Sequence, residues 1–88
     1  MNIDHIIRAR WKEQARSCRY GDFDSIITLA TEVANSSHST LGMRTAAHKT
    51  RSTADVARTP RATEAERRGA TDSFIHLKGE LGALWDLI

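Results

Sequence analysis

Phe74, Leu77, Leu81, Leu84 and Ile88 recur at spacings of three and four over the last fifteen residues, with Ile75, Trp85 and Leu87 beside them. That is the period of an apolar helix stripe. A stripe of large side chains needs a surface to dock on, supplied either by the rest of the chain or by another molecule. The other large apolar residues are just as unevenly placed. Of 17 Ile, Leu, Val and Phe residues, 15 lie in 3–7, 23–33 and 74–88, and only Leu41 and Val56 fall in 35–62. The expectation is a core built by the two ends of the chain.

Eighty-eight residues suffice for one small domain, 1–88, and the net charge of only +2 argues against full disorder. A domain of this size buries a modest fraction of its surface, so a partner or a second copy would add to its stability. The single cysteine, Cys18, excludes an intramolecular disulfide, and a reducing, cytoplasmic setting is expected. Residues 1–11 carry Asp4, Arg8 and Arg10 without an apolar run, so no secretory leader is expected. No segment approaches the roughly 18–20 apolar residues of a membrane span.

The spacing predicts an all-α chain, a small bundle of three main helices. Ile3, Ile7, Trp11, Ala15 and Cys18 step by four, four, four and three, which predicts a first helix over 3–20, capped by Asn2 and stopped by Gly21. Phe23, Ile26, Ile27, Ala30, Val33 and Ala34 predict a second helix, starting at Asp22 or Asp24 and ending near Asn35. The short link makes these two an antiparallel hairpin. Residues 35–63 hold ten serines and threonines in 29 positions. This stretch reads either as two short helices, at 41–49 and 53–58 with alanines inward, or as an irregular arm that orders on a partner. The C-terminal helix starts at Thr59-Pro60 or at Thr63, where Thr63 and Glu66 have the spacing of a capping box. Gly69 is a candidate kink or break.

Two sets of basic residues are candidates for contact with a partner. Arg8, Lys12, Arg16 and Arg19 are spaced to form a stripe, expected opposite Ile3 and Ile7 and able to face nucleic acid. Arg44, Arg51, Arg58, Arg61, Arg67 and Arg68, with Lys49, make a second basic zone. Either set also reads as a solvated helix face. Trp11 and Trp85 are expected to glue the terminal helices together, with Trp85 otherwise an exposed anchor. His5, His38, His48 and His76 lack zinc-site spacing; His76 and Glu80, at i and i+4, make at most half a site, so no metal or cofactor is expected. Cys18 reads as a small buried hydrophobe. Asp22 and Asp24 are explained by capping. With no nucleophile elbow, phosphate loop or paired-carboxylate motif, no catalytic residue is assigned and an enzyme is not expected.

The expected function is that of a non-enzymatic binding module, an inhibitor or adaptor that occupies a surface of a larger protein or nucleoprotein complex through its basic zone. In size and composition the chain is similar to small phage-type inhibitors of host systems, including anti-CRISPR-type proteins, which implies the same mode of action. One alternative is direct nucleic-acid binding by the basic stripe. Another is a homodimer or larger homo-oligomer, with Phe74, Leu77, Leu81, Leu84, Trp85 and Ile88 as a coiled-coil-like seam.

Overall fold

The computed structural model describes residues 3–84. It is all-helical over those residues, with α1 at Ile3–Ser17, α2 at Phe23–Asn35, α3 at Leu41–Ala57 and α4 at Glu64–Glu80. There are thus four helices, where the sequence predicts three and an arm. The difference is α3, a continuous 17-residue helix in place of two short turns.

The composition of residues 35–63 conceals that helix. Its hydroxyls are used for capping and for bonds along the helix itself. Ser39 Oγ donates to the Val33 carbonyl at the end of α2 (2.5 Å), and Thr40 Oγ1 caps α3 by accepting from the Met43 amide (3.1 Å). Within α3, Thr50, Ser52 and Thr53 each donate to the carbonyl four residues back. Such back-bonding satisfies a hydroxyl at little cost in helicity. Thr50 is fully buried, and its hydroxyl also lies 3.0 Å from the Ser73 carbonyl of α4.

Helix α3 also relocates the core. Its buried face is Met43, Ala46, Ala47, Thr50, Ala54 and Ala57, spaced by three or four. Helices α2 and α4 pack extensively on either side of it, while α1 makes a smaller contact with α2 and α4. Alanines let neighbouring axes approach toward the short end of the roughly 8–10 Å range for packed helices. The larger groups, Ile26, Leu29 and Val33 of α2 and Phe74 and Leu77 of α4, then fill the space over that small-residue surface. The core is therefore centred on the segment poorest in large apolar residues rather than built by the two ends. Helix α1 contributes Trp11 and Ala15. Trp11 is buried as expected, but its indole Nε1–H has no acceptor among the described residues.

Element ends show which local signals survive in the fold. Asp22 caps α2, accepting from the Ser25 amide and hydroxyl at 3.2 and 2.7 Å. The Thr63–Glu66 capping box forms in both directions, so α4 starts there and not at Thr59-Pro60. Gly69 passes through α4 without a break. The Gly21 stop does not form: α1 ends at Ser17, and the one positive φ among the described residues is at Gly82 (76°). The linker instead brings Tyr20 edge-on to Phe74, with centroids 5.8 Å apart. Lys78 Nζ donates to the Tyr20 hydroxyl (3.1 Å) and lies 4.7 and 5.6 Å from the Tyr20 and Phe74 ring centroids. This tertiary contact, absent from any local pattern, ties the α1–α2 link to α4. The expected cap residue Asn2 lies outside the described residues.

The C-terminal stripe is also redirected. At the end of α4, Gly82 N–H donates to the Gly79 carbonyl (3.1 Å) and Ala83 N–H to the Lys78 carbonyl (2.8 Å). With Gly82 left-handed, this is a Schellman stop. It ends the helix at Glu80, so the apolar period outlasts the helix. Among the described residues, no helix is long and apolar enough to cross a membrane.

Candidate binding surface

The cations of α1 are not arranged as expected. Arg8, Lys12 and Arg16 each follow Ile7, Trp11 and Ala15 by one position, about 100° around the helix, so they flank the inward seam rather than oppose it. All three are half-buried. Arg8 Nε donates to the His38 carbonyl of the α2–α3 link (2.7 Å), and Arg16 pairs with Glu13 (2.6 Å). Nearby, Arg10 bridges to Glu32 of α2 (3.0 Å) and Asp4 pairs with His38 Nδ1 (2.5 Å). Within the stripe Arg8 thus ties α1 to the α2–α3 link, and only Arg19, in the α1–α2 link, is exposed.

The second zone divides in two. Arg44, Arg51 and Arg58 are seven residues apart in α3 and therefore share one face, with His48 and Asp55 interleaved at spacings of three and four. Arg44 is half-buried and makes a long 3.5 Å bond to the Ser36 carbonyl. Arg58 pairs with Asp24 of α2 (3.2 Å) and with Asp55 (3.4 Å). Arg61 lies in the α3–α4 link and Arg67 and Arg68 at the start of α4, where Arg68 pairs with Glu64 (3.3 Å). Arg51, Arg61 and Arg67 are exposed and have no carboxylate within ion-pair distance among the described residues. With the exposed Lys49, they are the charges this zone leaves available.

Between α2 and α3 runs a shallow groove, lined by Ile27 and Thr31 on one side and by His48, Arg51, Ser52, Asp55 and Arg58 on the other. His48, Thr31 and Ile27 are members of this surface that the sequence reading passed over. The signal was present as His48, which sits on the 44–51–58 line. It is legible only once residues 41–57 are read as a single helix.

The proposed oligomer seam is largely turned inward. Phe74 and Leu77 are fully buried and Leu81 is 6% exposed, all within the chain's own core. Leu84 lies past the Schellman stop, half-buried, near the Gly79 backbone. Trp85 and Ile88 lie outside the described residues. Consequently no continuous exposed stripe exists at residues 74–84 to serve as a seam.

The other chemical candidates contribute little to a site. Cys18 is half-buried between α1 and α2; burial pushes its thiol above the ordinary value, Asp22 adds to this, and Lys78 opposes it. A thiol in that setting is a poor nucleophile. His76 Nε2 lies 3.8 Å from Glu80 Oε1, and no group of three or more metal-ligating side chains occurs among the described residues. Comparison with protein-family models, with curated proteins and with solved structures finds no match for this chain.

Proposed function

We propose that this chain is a small helical binding module that acts by covering an acidic face of a larger protein, as an inhibitor or adaptor does. The observation that carries this reading is the set of unpaired guanidiniums, Arg51, Arg61 and Arg67, along α3 and around the α3–α4 turn. Other arginines of the zone are already balanced internally by Asp24, Asp55 and Glu64. The uncompensated charges are therefore free to meet an anionic counterpart outside the chain. The protein surface complementary to these guanidiniums is an acidic one. The likeness in size and composition to phage-type inhibitors accords with this mode of action.

The test is capture of a partner from nuclease-treated host lysate by the wild-type chain and by R51E/R61E/R67E. All three positions are exposed, so the helicity of the variant should be unchanged by circular dichroism. A protein held by the wild type and lost by the variant is the expected result. Equal capture by both would overturn the reading.

Direct nucleic-acid binding is the second reading, favoured by the same three arginines. It requires an affinity that falls steeply with salt, in proportion to the phosphates contacted. An affinity insensitive to salt, or no binding at low salt, would remove it.

A further inference from the structure

The α2–α3 groove has a more specific composition than the basic zone as a whole. Its two arginines differ in kind. Arg58 is spent on Asp24 and Asp55, at 3.2 and 3.4 Å. Arg51 is exposed and makes no ion pair among the described residues, the carboxylate of Asp55 on the same face being engaged by Arg58. Around the groove two cations therefore face two anions, and one guanidinium is left without a direct partner. A polyanion gains little from such a balanced surface, because binding by counterion release needs a run of uncompensated positive charge. A single carboxylate gains more. The planar fork of arginine takes both carboxylate oxygens at once.

The neighbours of Arg51 fit the rest of such a side chain. Ile27 is half-buried, packed on the core beneath, and offers an apolar floor for a short methylene stem. Thr31 and His48 place a hydroxyl and an imidazole at the rim, each able to donate to a carboxylate oxygen. Ser52 is not such a donor, since its hydroxyl proton goes to the His48 carbonyl (3.1 Å). From this arrangement we infer that the α2–α3 groove seats one acidic side chain of a protein partner, with Arg51 as its ion-pair anchor and Ile27 as the floor. The inference rests on the proposed binding function and names the contact at its centre.

The test uses the full chain, isotope-labelled at arginine and isoleucine, and small probes at fixed ionic strength. N-acetylglutamate amide should produce saturable shifts of the Arg51 Nε–H and the Ile27 methyl signals. Dimethyl phosphate, a monoanion of the phosphodiester type, should bind more weakly, and N-acetylglutamine amide should not perturb these signals. R51Q is expected to weaken the glutamate probe about tenfold, the order expected for losing one charge-assisted pair. Linear, non-saturating shifts, tighter binding of dimethyl phosphate, or an unchanged titration in R51Q would each overturn the assignment. Failure here leaves the broader reading intact, because Arg61 and Arg67 lie outside the groove and partner capture by R61E/R67E, with Arg51 kept, tests them apart from it.

Discussion

Lys78 is 3% exposed, yet its ammonium has a single hydrogen-bond partner among the described residues, the hydroxyl of the 39% exposed Tyr20. The two halves of this contact are not equivalent. Tyr20→Phe keeps the ring against Phe74 and over the ammonium, but leaves a buried charge without its acceptor. A hydrogen bond to a charged group contributes roughly 1.5–3 kcal/mol, and the loss of the partner carries the desolvation cost of the group left behind. Tyr20 is partly wet, so water recovers some of that loss and about 1–2 kcal/mol is expected. Lys78→Met instead removes the charge, fills a similar volume, and leaves a hydroxyl that solvent reaches. Replacing a buried ion by an apolar side chain of like shape is often near neutral or stabilising. The tyrosine variant should therefore be the less stable of the two. Urea unfolding of the full chain measures the difference. With a slope of about 1 kcal/mol per molar, Tyr20→Phe should lower the midpoint by about 1–2 M, and Lys78→Met should leave it nearly unchanged. A Lys78→Met variant clearly less stable than Tyr20→Phe would refute the claim that this ammonium depends on the tyrosine hydroxyl.

Gly69 and Gly82 should respond oppositely to alanine in the same assay. Gly69 is mid-helix with open space where a Cβ would stand, so Gly69→Ala should stabilise by about 1 kcal/mol. Gly82 also has open space but holds φ at 76°, so Gly82→Ala should destabilise by about 1 kcal/mol; a neutral result would remove the Schellman stop as a cause of helix termination. The Asp22 cap should give a pH signature. The Ser25 hydroxyl above all, then the Ser25 amide, with a further contribution from Arg19, hold the Asp22 carboxyl below its ordinary value. Because the folded pKa is the lower one, its contribution is complete above the ordinary carboxylate range. It is lost as pH falls through that range into the lowered value. Asp22→Asn retains an acceptor without titrating, so stability measured over about pH 5 to 2 should fall less steeply in the variant. Parallel profiles would show that the cap does not contribute to acid unfolding.

Local chemistry carried the reading of the outer helices. Phe23, Ile26, Ile27, Ala30 and Val33 mark α2, and Asp22 caps it; Thr63 and Glu66 start α4. Each signal is a bond or a period within one turn or one helix, which a linear pattern retains. The candidate surface was legible only in part. Arg44, Arg51 and Arg58 were recognisable as basic residues. Which of them remains uncompensated depends on Asp24, 34 residues from Arg58 in the chain, and on the Ser36 carbonyl.

Sequence alone determined the helical class and narrowed the starts of α2 and α4 to Asp22 or Asp24 and to Thr59-Pro60 or Thr63, because these follow from short-range periods and amide hydrogen bonds. Tertiary structure decided the rest. It made α3 the centre of the core, since alanines become valuable only when two other helices bring large side chains to them. It tied the α1–α2 link to α4 through the Tyr20–Lys78–Phe74 contact. It also turned Phe74, Leu77 and Leu81 inward, because burying them against α3 and its neighbours leaves no exposed stripe at those positions. Burial and charge pairing both depend on what the chain brings back from a distance, and neither is written in the spacing of neighbouring residues.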